Sequence, residues 1–393
     1  NGVFPKLDVL HLHDWHAALV GVLREFDPAY TALKTVHTVY TIHNLALQGV
    51  RPLRNDESSL ASWFPELKYE PELINDPRAL DCINPMRAGI NLCEKIQAVS
   101  PSYAQEIQLA SKPERGYFGG EGLEGDLQKA AANGRLHGIL NGCEYPGPPQ
   151  PRVALGELCE LAGRELLKWI GEAPIMHSAH HIAGLQLARM AATSGGAERI
   201  RKAPFVLTSV GRIPPQKVLL LQHIMEDGET ALDHLLNTLG SAGVFLLLGN
   251  GDTRLEQFLT RVAARRDNFI FLKGYSETLS NALYASGDLF LMPSSFEPCG
   301  ISQMLAMRAG QPCLVHGVGG LKDTVRDRED GFVFSGDSLT AQAENMVNSF
   351  QTALNTWQKR SKTWVSLSAA AAAARFTWRD AADSVVGQLY QHD

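Results

Sequence analysis

The strongest chemical signal in the sequence is the stretch PSSFEPCGISQM at positions 293–304, which joins an apolar run to a segment with a helical pattern. Proline is favoured in the first turn of a helix, so we expect Pro298 to lie in that turn. The free backbone amides of residues 299–302 would then bind an anion, because helix N-termini attract phosphate and carboxylate groups. Glu297 would lie beside a sugar attached to a diphosphate at those amides.

A second candidate anion site is the turn SVGRIPPQK at positions 209–217. It lacks the glycines of a GxGxxG fingerprint or of a P-loop. It carries Arg212 and Lys217 five residues apart, and a bidentate guanidinium beside a compact ammonium suits a diphosphate. The alternative is that both cations are solvated surface residues, and this turn alone does not decide between the two interpretations.

Two apolar runs in the first part of the chain end in histidines, in HLHDWH at positions 11–16 and in TIHN at positions 41–44. Histidine and aspartate can ligate a metal, but this spacing across a strand-to-helix junction need not converge, and we expect no metal site. Ligands of open α/β sheets bind at the carboxyl ends of strands, so we expect Asp14, His43 and Asn44 to line a crevice. The alternatives are Asp14 as a helix N-cap and His43 as a buried, hydrogen-bonded side chain.

Weaker signals follow other apolar runs. Glycine-rich turns occur at positions 249–252 and 317–320, and each is explained equally well as a tight strand-to-helix connection. Tyr275 follows a further run, where an aromatic ring could stack on a base or simply pack.

Short apolar runs alternate with longer helix-compatible stretches, as in parallel sheets buried between helices. This alternation predicts doubly wound α/β domains in both halves of the chain. The predicted strands are residues 9–12, 35–42, 96–100 and 136–140 in the first half, and 205–210, 244–248, 269–272, 289–292, 313–316 and 332–334 in the second.

We predict an N-terminal domain over residues 1–194, a C-terminal domain over 195–365 and a helical segment over 366–393 that packs back on the N-terminal domain. Residues 145–151 contain four prolines, which form neither a helix nor a central strand and suit an exit from the first domain. Helical patterns at 155–170 and 180–193 then lead to Gly195-Gly196, where we place the boundary. The alanine run at 369–374 predicts a terminal helix.

The composition is that of an ordinary globular protein, with 393 residues, 45% hydrophobic and 20% charged. A formal net charge of −6 argues against binding to nucleic acid or to an anionic membrane. No apolar run approaches the ~18 residues that span a bilayer. The 6 cysteines are isolated, which favours a reducing, cytoplasmic location, and the sequence as given shows no signal-peptide pattern.

Taken in order, the motifs HDWH, TIHN, NG, GRxxxQK, GNGD, GY, PSxFEPCG and GGLxDTV resemble those of bacterial glycogen synthases and plant starch synthases, from about His11 to Tyr390. These retaining glycosyltransferases have the GT-B fold, with two Rossmann-like doubly wound domains and an active site in the cleft between them. The resemblance implies transfer of glucose from ADP-glucose to the non-reducing end of glycogen or another α-1,4-glucan. It implies no metal and no other cofactor. UDP-glucose stays open as the donor, although the bacterial type of the motifs favours ADP-glucose.

The resemblance also implies roles for the matching residues. Glu297 would contact the donor glucose and be needed for activity, His43 would meet the glucose 6-hydroxyl, and Asp14 would lie in the same cleft. Arg212 and Lys217 would hold the donor diphosphate in place of a metal. The remaining donor-binding residues would be Tyr275 at the adenine, Asn141 and Asn44 in the donor pocket, and Cys299, Gly300 and Ile301 near the phosphates.

The sequence departs from the family pattern at several points. Val218 replaces the usual glycine after QK, Pro214-Pro215 stiffens the preceding loop, and Cys143-Glu144 replaces an apolar residue and an aspartate. The KTGGL loop with which the family opens is absent, so we expect the first strand–helix units to be missing. Activity of this chain without an upstream segment therefore stays open.

Two alternative functions remain from the sequence. One is another GT-B glycosyltransferase with a different acceptor. The other is a truncated homologue that binds nucleotide or glucan without catalysis. The missing loop favours the non-catalytic homologue, whereas the presence of Glu297, Arg212 and Lys217 counts against it.

Overall fold

The protein is described by a computed structural model that covers residues 7–147, 150–173, 175–194, 204–359 and 362–391. The predicted boundary at Gly195-Gly196 lies outside these residues. The chain divides into two compact units. The first comprises the described residues up to Gly142, Glu297–Cys299 and those from Phe376 on, and the second comprises the remainder.

The first unit is built on a parallel four-stranded sheet with the order β1-β2-β5-β6. A two-residue antiparallel pair, β3 and β4, lies outside that sheet. The strands are β1 (Val9–His13), β2 (His37–Ile42), β3 (Arg51–Pro52), β4 (Cys82–Ile83), β5 (Lys95–Ala98) and β6 (Leu136–Gly138). The helices are α1 (Asp14–Phe26), α2 (Leu60–Trp63), α3 (Pro71–Ile74), α4 (Pro85–Leu92), α5 (Pro101–Glu106) and α6 (Glu124–Ala132).

The second unit contains a parallel six-stranded sheet with the order β12-β11-β10-β7-β8-β9. Its strands are β7 (Phe205–Val210), β8 (Gly243–Gly249), β9 (Phe269–Lys273), β10 (Leu289–Met292), β11 (Cys313–His316) and β12 (Gly331–Phe334). Its helices are α7 (Leu155–Glu172), α8 (Ser178–Ser194), α9 (Pro215–Val218), α10 (Ala231–Leu239), α11 (Thr253–Arg265), α12 (Glu277–Ser286), α13 (Ser302–Arg308), α14 (Gly319–Thr324), α15 (Leu339–Gln358) and α16 (Lys362–Ala373). Helix α17 (Trp378–Leu389) belongs to the first unit.

Each predicted apolar run contains a strand, so the predicted α/β class with doubly wound parallel sheets is confirmed. The runs became strands because both faces of these sheets are covered by side chains. Every residue of β8, for example, is buried. Numbered from β7, the second sheet has the strand order 3-2-1-4-5-6 of dinucleotide-binding folds. In that order the chain changes direction between β7 and β10, which creates a crevice at their carboxyl ends.

The boundary between the units differs from the prediction at residues 194 and 195. Helices α7 and α8 belong to the second unit, because their apolar faces pack on the second sheet. Leu158 and Leu166 of α7 and Leu187 of α8 join one core with Val206 and Leu246. The first continuous segment therefore ends at Gly142, just before the proline-rich segment. Helical periodicity predicts such helices but does not reveal which sheet they cover.

The terminal segment predicted over residues 366–393 is divided between the units. Helix α16, which contains most of the alanine run, belongs to the second unit, and α17 belongs to the first. Leu389 packs with Val39 of β2, and its carbonyl accepts a hydrogen bond from Nε2 of His37 at 2.7 Å. Across the part of the chain that the structure describes, no helix is both long and apolar enough to cross a membrane.

Candidate functional site

The carboxyl ends of β1 and β2 carry the histidine edge, which we define as His11, His13, Asp14 and His43. The two strands pair in parallel with His13 beside Thr41, so the residues that follow each strand emerge side by side. Asp14 begins α1 with a φ of 53°. That left-handed conformation is uncommon outside glycine, although aspartate and asparagine tolerate it best. Such strain persists where the surroundings fix the residue, and it often marks a functional site.

The Asp14 carboxylate is fixed by the loop that follows β2. Its Oδ1 accepts hydrogen bonds from the backbone amides of His43 at 2.8 Å and Asn44 at 3.4 Å. The alternative that Asp14 caps α1 is wrong, because His13 occupies the N-cap position and Asp14 is the first helical residue. The carboxylate instead joins the ends of two strands. The structure thus brings together the three residues predicted to line a crevice, Asp14, His43 and Asn44.

The imidazole rings of the histidine edge form a stacked group. The ring of His13 lies 4.4 Å from that of His11 and 5.3 Å from that of His43, between centroids. Nδ1 of His13 is 3.0 Å from Nε2 of His43, a hydrogen-bond distance. Burial, with His13 and His43 nearby, lowers the pKa of His11 to about 4. Burial and His43 also lower the pKa of His13, against the opposing effect of Asp14.

His16, the last histidine of the HLHDWH motif, does not join this group. Its ring stacks on that of Trp15, with 3.8 Å between centroids. Across the described residues, no group of three or more His, Cys, Asp or Glu side chains is arranged to hold a metal ion.

Further along the same sheet edge lie two more predicted site residues. Asn141 follows β6, and its backbone amide donates to the carbonyl of Val99 beyond β5 at 3.4 Å. Asn44 follows β2, and its side-chain oxygen accepts from the amide of Ala46 at 3.0 Å, which closes a tight turn. Both residues therefore share the carboxyl edge of the first sheet with the histidine edge.

Glu297 lies in the short segment that clusters with the first unit. It is 9% exposed, and the next residue, Pro298, accepts a hydrogen bond at its carbonyl from Oγ of Ser100 at 2.6 Å. Ser100 also caps α5 by accepting from the amide of Tyr103. A hydroxyl at the carboxyl end of β5 thus fixes the backbone beside the predicted catalytic glutamate.

The prediction that Pro298 lies in the first helical turn is wrong. Helix α13 begins at Ser302, because Gly300 adopts a left-handed φ of 74° that a continuing helix excludes. The backbone from 297 to 301 is therefore a loop. Cys299 is buried, whereas Ile301 is 43% exposed.

The second unit carries the other predicted cations, at the direction change between β7 and β10. We call residues 211–217 and 293–295 the switch-point loops. Arg212 is exposed in the first loop, and Lys217 lies on α9, a single helical turn with Pro215 at its start. Nζ of Lys217 lies 3.4 Å from the position that a Cβ would take on Gly211. The ammonium is thus folded back over the turn that follows β7. Val218, where the family usually has glycine, is buried in the core.

Hydrogen bonds tie the two switch-point loops together. Ser295 donates to the carbonyl of Gln216 through its amide at 2.9 Å and through its hydroxyl at 3.1 Å. Nδ1 of His316, at the end of β11, donates to the carbonyl of Ser294 at 3.0 Å. Burial lowers the pKa of His316 to about 4, against the opposing effect of that hydrogen bond. The buried, uncharged imidazole therefore acts as a brace for the second loop.

The glycine-rich turn after β8 extends the same arrangement. The amide of Gly211 donates to Leu248 at 3.0 Å, and that of Ile213 donates to Asn250 at 2.8 Å. A side chain on Gly249 would collide with the carbonyl of Gly211, so this close approach requires glycine. Glu256, which is 6% exposed, then accepts from the amide of Gly251 at 2.8 Å. Its other oxygen pairs with Lys273 at 2.9 Å.

Tyr275 lies beyond the end of β9, two strands away from the loop that carries Arg212. Its side chain is 75% exposed, so the structure does not use the ring as packing. Its carbonyl accepts from Nε1 of Trp169 at 3.1 Å, and the Trp169 ring lies against Gly274, where a Cβ would not fit. The aromatic ring is therefore presented to solvent on a braced backbone.

Sequence reasoning missed four residues that organise these loops, namely His13, Ser100, Glu256 and His316. His13 and His316 each stand at the end of an apolar run, which is the signal that identified His43. Ser100 precedes a proline that opens a helix, a pattern typical of an N-cap. Glu256 carries no such signal, because its partners come from two other elements.

Sequence models of two families match the chain. The starch synthase catalytic domain matches residues 2–129, and glycosyl transferases group 1 matches residues 204–351. The chain is 33% identical to a glycogen synthase from Desulfitobacterium hafniense over 388 residues, which cover 96% of this chain and 70% of that protein. It is also 33% identical to a glycogen synthase from Streptococcus sanguinis, with coverage of 98% and 73%.

Solved structures agree with these relatives. The catalytic domain of starch synthase IV from Arabidopsis thaliana, bound to ADP and acarbose, is similar with a TM-score of 0.67 and 25% identity, over 98% of this chain and 72% of that one. The Anabaena protein HepE in complex with UDP has a TM-score of 0.52 at 16% identity, over 97% and 78% of the two chains, which supports the fold alone. Together with the two parallel sheets, these similarities confirm the predicted GT-B fold. The chain is a glycosyltransferase and belongs to the glycogen synthase and starch synthase family.

Proposed function

We propose that this glycosyltransferase transfers glucose from ADP-glucose to the non-reducing end of an α-1,4-glucan such as glycogen, with retention of configuration. The observation that carries the proposal is the pair of switch-point loops. They hold Arg212 and Lys217 at the crevice where sheets of this strand order bind nucleotides. The similar starch synthase IV domain was solved with ADP and acarbose, which supports an adenine nucleotide and a glucan-like acceptor.

The proposed chemistry follows from the charge that develops on the leaving group. As the bond between glucose and diphosphate breaks, negative charge grows on the phosphate oxygens, and fixed cations lower the free energy of that state. In the proposed reaction, Arg212 and Lys217 provide this stabilisation, together with backbone amides near Cys299, Gly300 and Ile301. Tyr275 stacks on the adenine. Lys217 suits its role because its ammonium already lies over the turn that would meet the diphosphate.

The histidine edge would bind the sugar in the proposed reaction. Imidazole, carboxylate and amide groups match the donors and acceptors of glucose hydroxyls. His43 is assigned to the 6-hydroxyl, Glu297 to the reacting glucose ring, and Asp14 to the support of both His43 and Asn44. Asn141, on the same sheet edge, is assigned to the donor pocket. No metal takes part in this scheme, and the absence of a cofactor requirement and the cytoplasmic location stay predictions.

The test is incorporation of labelled glucose into glycogen by the chain as given, from ADP-glucose and from UDP-glucose in parallel. We expect transfer from ADP-glucose that disappears in Glu297→Ala. Glu344→Ala, which changes an exposed glutamate on α15, is the matched control and should retain activity. Transfer from UDP-glucose alone would overturn the donor assignment. Binding of ADP without any transfer would overturn the proposal and favour the non-catalytic homologue.

A further inference from the structure

The stacked imidazoles of His11, His13 and His43 form a chain that reaches from the core of the first unit to the residue assigned to the donor sugar. We call these three residues the histidine column. His11 is half-buried at the inner end, and His13 bridges it to His43. The protons of this column can be followed atom by atom, because both nitrogens of His11 have oxygen partners.

The partners of His11 determine its tautomer. Oγ1 of Thr41 donates to Oε1 of Gln97 at 2.9 Å, so this hydroxyl has no second proton to give. Nε2 of His11, which lies 2.6 Å from the same Oγ1, must therefore be the donor. In the neutral ring Nδ1 is then an acceptor, and it receives the phenolic proton of Tyr390 at 2.8 Å. The pKa of His11, lowered to about 4, agrees with an uncharged ring.

This arrangement fixes His11 as a rigid, neutral support for the ring stacked on it. The support depends on the C-terminal helix, because Tyr390 directly follows α17 and contacts His11 edge-on, with 5.7 Å between ring centroids. The ring of His13 lies nearly parallel to His11, at an angle of 19°. His13 is thus oriented by stacking on one side and by its hydrogen bond to His43 on the other.

The contact between His13 and His43 has one chemical consequence. Two imidazole nitrogens 3.0 Å apart share one proton, so one ring donates and the other accepts. Because Nε2 of His43 is engaged in this way, Nδ1 is the ring nitrogen left to meet a sugar hydroxyl. The state of Nδ1 is then set by the direction of the shared hydrogen bond. The backbone amide of His43 is held separately, by Asp14.

We propose that His13 is a positioning residue that fixes the ring orientation and the tautomer of His43 for contact with the donor sugar. This inference rests on the proposed function, which assigns His43 to the glucose 6-hydroxyl. His13 itself need not touch substrate. It acts through Nε2 of His43, while His11 and Tyr390 hold it in place. The column is thus a relay of orientation from the C-terminal helix to the sugar side of the reaction.

The kinetic test compares His13→Ala with His13→Asn. An asparagine side chain can place a hydrogen-bonding group near the position of Nδ1, whereas alanine removes it. We expect His13→Ala to lower kcat for transfer from ADP-glucose by about tenfold, the effect of one lost hydrogen bond in the transition state. His13→Asn should recover most of that loss, and the Kd for ADP should stay at the wild-type value in both. His234→Ala, on α10 of the second unit, is the control.

A second readout does not depend on activity. With histidines labelled by ¹⁵N, the ring-nitrogen chemical shifts of His43, assigned by their loss in His43→Gln, report its tautomer. We expect one dominant tautomer in the wild type and averaged shifts in His13→Ala. Unchanged shifts together with a kcat equal to that of His234→Ala would overturn the inference. Failure of the wild type to transfer glucose would instead refute the proposed function, and the shifts would still test the role of His13.

Discussion

The two units use the same structural position, the carboxyl edge of a parallel sheet, in different ways. In the first unit that edge is held by side chains, with the Asp14 carboxylate and the stacked histidines joining β1 to β2. In the second unit it is held mainly by backbone, with the turns after β7 and β8 paired through the amides of Gly211 and Ile213. Side-chain networks suit recognition of hydroxyl groups, whereas close-packed glycine turns let cations and amides approach a diphosphate.

The comparison teaches that strand order alone does not define the chemistry of a sheet edge. Both sheets present their ligand-facing ends where open α/β folds bind small molecules. The residues that follow the strands decide whether that end binds a sugar or an anion. Four changes can sharpen or break this division, and they are taken in order of decreasing effect.

The largest effect is expected from Lys217→Ala in the second unit. Loss of the ammonium removes a fixed charge that stabilises the leaving diphosphate, so turnover should fall by about 10²–10³, as for the loss of one oxyanion donor. Steady-state kinetics with ADP-glucose measure the change. Lys359→Ala, at an exposed lysine just after α15, is the control. An unchanged kcat in Lys217→Ala would break the assignment of this edge to the diphosphate.

The next effect is on stability and concerns His316, which braces the second switch-point loop. Its pKa of about 4 in the folded state lies below the ordinary 6.5, so between these values the unfolded chain binds more protons. The free energy of unfolding should therefore fall as the pH drops from 6.5 to 4, with about 3 kcal/mol from this residue. Urea unfolding at several pH values should show a smaller fall in His316→Asn. An equal fall in His316→Asn and in the control His181→Asn would contradict the buried, neutral imidazole.

A smaller effect is expected from Asp14 in the first unit. Asp14→Ala removes the acceptor for the amide of His43 and places alanine at a φ of 53°, so kcat should fall by about tenfold. Asp14→Asn tolerates that φ and keeps one oxygen acceptor, so it should retain most of the activity. Kinetics of the two variants at equal thermal stability provide the measurement. Equal kcat values in Asp14→Ala and the wild type would show that the side-chain network is dispensable.

The smallest effect is expected from Glu256→Gln. One of its carboxylate oxygens accepts from Gly251 and the other pairs with Lys273, so the amide retains only part of this support for the turn after β8. The KM for ADP-glucose should rise by about fivefold, on the order of 1 kcal/mol, with little change in kcat. Glu344→Gln, at an exposed site on α15, is the control. A change in kcat at constant KM would mean that Glu256 acts on the chemical step instead.

Much of the fold follows from local patterns, because buried parallel strands need continuous apolar runs. The strands Phe205–Val210, Leu289–Met292 and Cys313–His316 match their predicted bounds. The two-residue strands Arg51–Pro52 and Cys82–Ile83 were not predicted, since so short a pair leaves no periodic signal. The start of α13 was misplaced because the left-handed Gly300 outweighs the helix preference of Pro298.

The candidate site was predictable where a residue directly follows a strand, as for Asp14 and His43. It was not predictable where the partner is distant in sequence. The hydrogen bond from Tyr390 to His11 spans 379 positions, and no local pattern announces it. The assignment of α7 and α8 failed for the same reason, because their periodicity describes a buried face without naming the sheet beneath it.

The most direct test of the division between the two edges is calorimetric binding of ADP and of ADP-glucose to the wild type, Lys217→Ala and His43→Ala. If the second unit binds the diphosphate and the first binds the sugar, Lys217→Ala should weaken binding of both ligands. His43→Ala should then weaken only ADP-glucose and leave the Kd for ADP unchanged. A loss of ADP affinity in His43→Ala equal to that in Lys217→Ala would contradict the account.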